Sequence, residues 1–270
     1  MPSSKERHAR MIGDSLRTAP LISAIRNTVK AGDIVVDIGT GLGILAIEAA
    51  KCGAKTVHAI EIDAEAIAMA RKNAHTAGLH EKIIFHEQLS FNSEIGCRAD
   101  VIICETVGSF AFDENILSTL IDAKKRFLSA DGTIIPQKLQ LWGAGLSKIP
   151  ATNRISETGK ADSNHIVTEP TLLAAVDFKE SFSDSIHVKQ SLKCISDCEI
   201  KGFALWPKAF WGKSDITDAS PFSAPTHWEQ GIIGIEPRRF VRNEKATLEF
   251  IIGPHPENPM LMTERLWRWA

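Results

Sequence analysis

Residues 33–61 constrain this chain more than any other stretch. Asp33-Ile-Val-Val-Asp-Ile38 is a short apolar run that carries Asp37, and it reads as a buried strand. Gly39-Thr-Gly41-Leu-Gly43 follows as a turn, 44–51 as a helix, and Thr56-Val-His-Ala-Ile-Glu61 as a second strand. Glycines at such a turn let the backbone pass close to a ligand with no side chain in the way. A carboxylate at the end of the second strand, here Glu61, can accept both hydroxyls of a ribose. The plainer alternative, glycines that only tighten a turn, leaves that acid unexplained. The spacing is G-x-G-x-G, so the full dinucleotide fingerprint is not met. An adenosine-bearing ligand is the expectation.

The same alternation continues downstream. Asp63 is placed to cap an alanine-rich helix that Gly78 ends. Lys82–Phe85, Ala99–Cys104 and Thr133–Pro136 read as three further strands, with a helix over Ile116–Phe127. Strands alternating with helices across short connections predict a doubly wound parallel sheet. In such a sheet ligands sit beyond the carboxyl ends of the strands. Glu105 stands at one of those ends, and Glu114 returns nine positions later after a glycine-bearing loop. Two carboxylates brought together suit a planar cation, because a guanidinium presents its donors as a fork. The bland alternative is that Glu105 ends a strand and Glu114 opens a helix, where acids are common.

From Leu139 the pattern changes to short candidate strands separated by Pro and Gly turns, including Lys201-Gly202, which suggests an antiparallel sheet or barrel. A boundary is therefore placed between an N-terminal unit, 1–137, and a second unit, 138–270. Residues 151–170 are polar and read as an exposed, arm-like excursion. The cleft between the units is the expected substrate site. Thr226-His-Trp is placed at the start of one of the later strands, and His227 is the side chain most readily tuned to take a proton near neutral pH. Alone, His227 reads as a surface residue and Trp228 as barrel packing.

Composition excludes several classes. The net charge is −2 with no basic run, which argues against nucleic acid. No stretch has the length of a membrane span, and the start lacks the apolar core of a signal peptide. Five scattered cysteines suggest reduced thiols and a cytoplasmic protein, and Cys194 and Cys198 are too isolated for a metal site.

Together, these residues resemble the protein arginine N-methyltransferases. The resemblance rests on five stretches in the family's order: His8-x-x-Met11-x-x-Asp14-x-x-Arg17-Thr18, Val36–Leu45, the strand ending in Glu61, the Glu105–Glu114 loop and Thr226-His-Trp. It covers the chain from His8 to about Gly253. It implies an α/β protein: a Rossmann-like class I methyltransferase domain followed by an antiparallel β-barrel-like domain. It also implies the cofactor S-adenosyl-L-methionine. Arg17 would hold the cofactor carboxylate, with His8 and Met11 packed near it. Gly39 and Gly41 would admit its methionine part, Asp37 would sit near its amino end, and Glu61 would take the ribose. Glu105 and Glu114 would clamp a substrate guanidinium, and Asp14 with His227 would lead the released proton away.

Departures from the family are also legible. There is no tyrosine and only seven residues precede His8, so a less enclosed cofactor is expected. Leu89 or Ser90 stands where the family often has an acid for the adenine amino group. Thr106, Val107, Ser109 and Phe110 replace the Trp, Met and Tyr of the members that form asymmetric dimethylarginine. The resemblance carries the expectation of a homodimer, although 151–170 lacks the apolar face of the family's dimerisation arm. Arginine in a protein or peptide is the expected substrate. Free arginine or another small guanidino or amino metabolite is one alternative. An inactive, cofactor-binding scaffold subunit is another. A nicotinamide-dependent oxidoreductase is disfavoured by the incomplete glycine pattern.

Overall fold

The computed structural model describes residues 13–150, 156–260 and 262–269. His8 and Met11 lie outside them. The first half is a five-stranded parallel sheet: β1 (Ile34–Ile38), β2 (Thr56–Glu61), β3 (Ile83–Glu87), β4 (Ala99–Cys104) and β5 (Leu128–Ile135). The order is β3-β2-β1-β4-β5. Strand order therefore reverses between β1 and β4, the place where open α/β sheets bind ligands. Val35, Val36, Val101, Ile102 and Ile103 are fully or almost fully buried, as expected of strands covered on both faces.

The helices are α1 (Ser15–Thr28), α2 (Ile44–Lys51), α3 (Ala64–Thr76) and α4 (Ile116–Arg126). The Asp63 carboxylate caps α3 by accepting from the backbone N–H groups of Glu65 and Ala66. In α4, Ile116, Leu117, Leu120 and Ala123 face the core, while Ile121 is turned outward. The spacing of Leu21, Ile22, Ile25 and Val29 predicts a helix over 21–29, and the first helix is longer than that. It begins at Ser15 rather than near Leu21 and carries Pro20 inside it. The Asp14 side chain caps it by accepting from the Arg17 N–H, which starts the helix in a stretch whose charged and small residues read as a loop or short helix.

The second half is antiparallel. One sheet runs β7 (Ser156–Gly159), β12 (Gln230–Phe240), β10 (Cys198–Phe210), β6 (Lys138–Leu146) and β8 (Thr171–Asp177), with β11 (Ile216–Asp218) added on β10. The other runs β14 (Thr263–Trp269), β13 (Lys245–Pro254) and β9 (Ile186–Lys193). Three sequence expectations change here. Within 151–170, Ser156–Gly159 hydrogen-bonds to β12 as a sheet edge instead of projecting. Lys201-Gly202 is not a turn but a register shift inside one thirteen-residue strand. A Cβ on Gly202 would lie 2.5 Å from the Ile149 side chain and 2.6 Å from the Ile233 carbonyl oxygen, so glycine there serves close approach. Thr226-His-Trp lies before β12, and Glu229 follows it at a φ of 50°.

Among the described residues no helix is long and apolar enough to cross a membrane. None of the His, Cys, Asp and Glu side chains there form a group of three that could hold a metal ion.

Candidate functional site

The carboxyl ends of β1, β2 and β4 gather four acids. Asp37 is the penultimate residue of β1, two positions before Gly39, and it is fully buried. Its Oδ2 accepts from the Thr40 hydroxyl at 2.5 Å, while Oδ1 has no hydrogen-bond partner among the described residues. Burial pushes this carboxyl up to about 7, against the Thr40 bond. Gly39 has a φ of 71°, and a Cβ there would meet the Thr106 methyl at 3.2 Å. Gly41 is also left-handed, with a φ of 53°.

Glu61 ends β2 and folds over the glycine turn. Its Oε2 accepts from the Gly41 N–H at 2.9 Å. Its Oε1 accepts from the N–H groups of Ile62 and Asp63 at 2.8 and 2.9 Å. An ionised carboxylate has about four acceptor sites. In this arrangement three are spent on backbone, and the side chain shapes the turn.

Glu105 follows β4 and is held by Arg17, whose Nη1 lies 2.6 Å from Oε2. Both side chains are only 7% exposed. Burial pushes the Glu105 carboxyl up to about 7 despite the guanidinium. The Trp228 indole lies beside it. Its Nε1–H meets no acceptor in hydrogen-bond geometry among the described residues, yet its nearness helps hold the carboxyl down. Glu114 completes the cluster. It is exposed as a residue, while the protein crowding its carboxyl, and then the charges of Asp113 and Glu105, press it upward and Arg17 relieves it. The structure thus brings Glu105, Glu114 and Arg17 into one electrostatic group.

Asp14 and His227 meet across 213 positions. Asp14 Oδ2 accepts from both the His227 backbone N–H, at 2.7 Å, and its Nδ1, at 2.9 Å. Burial pushes the Asp14 carboxyl up, but the bonds from His227 and Arg17 outweigh it and the net shift is downward. An ionised carboxylate only accepts, so Nδ1 carries the hydrogen and Nε2 is the basic nitrogen. Asp14 also caps α1, so one carboxylate fixes both Arg17 and His227.

The loop between the two glutamates is tied down from several directions. Ala111 and Asn115 are left-handed, with φ of 65° and 61°. Ser109 donates to the Trp228 carbonyl at 2.6 Å and lies 2.9 Å from the Thr158 hydroxyl. The Asp113 carboxylate takes the Phe110 N–H at 3.1 Å, and a Cβ on Gly108 would fall 2.2 Å from its Oδ1. Asn115 donates to the carbonyls of Pro259 and Met260. Asp113, Asn115 and Arg265 are not singled out by the sequence, and Ser109 is marked there only as a departure from the family. Only the acid pair Asp113-Glu114 gives a local signal, because the other partners lie tens to more than a hundred positions away.

Leu89 and Ser90 lie just after β3. Ser90 is buried, and its carbonyl accepts from Arg126 Nη2 at 2.5 Å. Its backbone is therefore committed to α4. The buried carboxyls of Asp37 and Glu105 would stabilise a cationic ligand placed beside them.

Comparison with known proteins follows this geometry. The family model described as ribosomal protein L11 methyltransferase (PrmA) matches residues 13–137. A probable protein arginine N-methyltransferase 3 from Oryza sativa subsp. japonica is 27% identical over 94% of this chain, which spans about half (51%) of that protein. An arginine N(omega)-methyltransferase from Streptomyces achromogenes subsp. streptozoticus is 25% identical over 85% of this chain and 71% of its own length. A solved structure, the Trypanosoma brucei PRMT1 enzyme-prozyme heterotetrameric complex with AdoHcy, superposes with a TM-score of 0.83 at 20% identity, covering 97% of both chains. The parallel sheet followed by antiparallel sheets is the fold of that structure.

Proposed function

We propose that this chain, whose relatives are protein arginine N-methyltransferases, methylates a guanidino nitrogen, with arginine in a protein or peptide as substrate and S-adenosyl-L-methionine as donor. One observation carries the reading: a carboxylate at the sheet's switch point, Glu105, already holds a guanidinium, that of Arg17, at 2.6 Å. A site that binds one guanidinium through a buried carboxylate is chemically suited to a second.

The donor fits this chain's residues. Asp37 presents a buried oxygen without a partner among the described residues, which suits an ammonium group. Left-handed Gly39 and Gly41 leave the space a side chain would fill. Arg17 would hold the donor's carboxylate, Glu61 and the residues Leu89 and Ser90 would flank its adenosine part, and His8 and Met11 remain expectations outside the described residues. Bound there, S-adenosyl-L-methionine supplies an electrophilic methyl group on a cationic sulfur. Glu105 and Glu114 draw the substrate's positive charge toward the nitrogens they touch and leave the third nitrogen richer in electrons. They also offset the repulsion between two cations in one pocket. Alignment of that nitrogen can lower the barrier by roughly 7–11 kcal/mol. His227, oriented through Nδ1 by Asp14, accepts the proton released as methylation acidifies the nitrogen.

The reading also places a boundary at 137/138, between β5 and β6, and carries a homodimer and a cytoplasmic location with it. Five free cysteines support the location. The second reading, free arginine as substrate, is favoured by the name of the Streptomyces relative.

The test is transfer of a labelled methyl group to free L-arginine and to arginine-rich peptides, read by mass spectrometry. Methylated peptide is expected, with Glu105→Gln lowering kcat by about 10²-fold or more, as for loss of one charge-stabilising partner. Product from free arginine alone would transfer the reading to a metabolite enzyme. Near-normal activity in Glu105→Gln would remove the clamp.

A further inference from the structure

We propose that Arg265 on β14 is a positioning residue for Glu114, acting through Asp113, which it holds in place. The proposal rests on the clamp reading above. The geometry is local and specific. Arg265 Nη1 lies 3.3 Å from Asp113 Oδ2, and its guanidinium stacks over the Phe110 ring at 4.5 Å from the centroid. The Thr263 hydroxyl donates to the Asp113 carbonyl at 2.6 Å. Asn115, on the far side of Glu114, donates to the carbonyls of Pro259 and Met260. Both neighbours of Glu114 are thus fixed by the β13–β14 hairpin. Among the described residues the Glu114 side chain makes no hydrogen bond or ion pair of its own, so its place depends on theirs.

The charge arrangement makes Arg265 more than a brace. Glu114 must be ionised to receive a cation. Four charged groups bear on it. Asp113 beside it and Glu105 after β4 oppose ionisation, Arg17 on α1 favours it, and Arg265 acts at one remove by pairing with Asp113. Asp113 is itself buried, with its side chain 14% exposed, and its oxygens are divided between the Phe110 N–H and Arg265. Without Arg265, an uncompensated negative charge would stand directly beside Glu114. The pair would then take up protons more readily, and the clamp would lose charge near neutral pH.

The experiment is a pH titration of the Glu114 carboxyl by NMR in full-length protein labelled with glutamate at the side-chain carboxyl carbon. Glu114→Gln assigns the resonance. Arg265→Ala is expected to shift the Glu114 titration upward by about one pH unit, a tenfold change in its protonation equilibrium. Asp113→Asn is expected to shift it downward, and Asp113→Asn with Arg265→Ala to return it close to the wild-type position. In the methylation assay, Arg265→Ala should raise the peptide KM at neutral pH and move the acid limb of the profile upward, with the cofactor constant unchanged and Arg265→Lys restoring most of the loss. A Glu114 titration that stays put in both Arg265→Ala and Asp113→Asn overturns the proposal. If Arg265→Ala does not fold, Asp113→Asn still decides the point. If the wild type methylates nothing while the titrations move as stated, the functional reading fails and the positioning role stands.

Discussion

Two carboxyls in this molecule, those of Asp37 and Glu105, are raised to about 7 by burial. Each is protonated in both folded and unfolded chains at low pH. As pH rises through the ordinary carboxylate range, the unfolded chain loses its protons first, so stability falls up to the folded value near 7. The ligand-free protein is thus expected to lose stability from these groups between about pH 4 and 7. Asp37→Asn removes one of them. Its melting temperature relative to wild type should be higher at pH 8 than at pH 5, by about 2–4 °C for each kcal/mol recovered. Thermal unfolding at the two pH values measures this, and an equal difference at both would count against a buried, raised Asp37. At this scale the sequence was informative wherever the partner was close. Asp63 as the cap of its helix is read from neighbours. The Arg17–Glu105 pair joins residues 88 positions apart, and no local pattern announces it.

At the scale of elements, α1 depends on one side chain for two tasks. Asp14 caps the helix and holds His227. Asparagine is as good a cap as aspartate, while alanine is not. Asp14→Ala should cost about 0.5–2 kcal/mol of stability. Asp14→Asn should keep most of that stability yet impair turnover, since the charge facing His227 is gone. Denaturant unfolding beside the methylation assay separates the two effects. Equal stability loss in both variants would mean the cap contributes nothing. β1 and β4 were legible as nearly continuous apolar runs, whereas β5 was read only from Thr133 because Ser129, Asp131 and Gly132 interrupt its apolar character. The later strands were less so. β14 carries Glu264, Arg265 and Arg268 between its apolar residues and resembles a polar tail. β10 contains Gly202 and Pro207, both of which read as strand ends, and only its neighbours on both sides keep it one strand.

The whole molecule meets at the Glu105–Glu114 loop. Its Phe110 ring rests on Gly231 of β12, where a Cβ would come within 2.5 Å of the ring. It also stacks on Phe250 of β13, with centroids 5.9 Å apart. The expected Gly231→Ala outcome is a displaced loop, with about 1–3 kcal/mol lost from overpacking and methylation falling more than tenfold. Thermal unfolding and the assay together check it, and an alanine variant equal to wild type in both would show that the loop is not held by this contact. The sequence places the loop correctly after β4 but says nothing of what rests on it, because those surfaces belong to strands 120 and 140 positions further along.

That span has a consequence for how the protein is made. The Asp113 carboxylate finds Arg265 across 152 positions and its carbonyl finds Thr263 across 150. The parallel sheet can form from the first 135 residues as they emerge, since domains tend to fold in order during synthesis. The loop between the two glutamates cannot reach its final form until β14 has been translated and has closed on β13. A nascent chain of this protein would carry a finished sheet and an unfinished loop until β14 arrived.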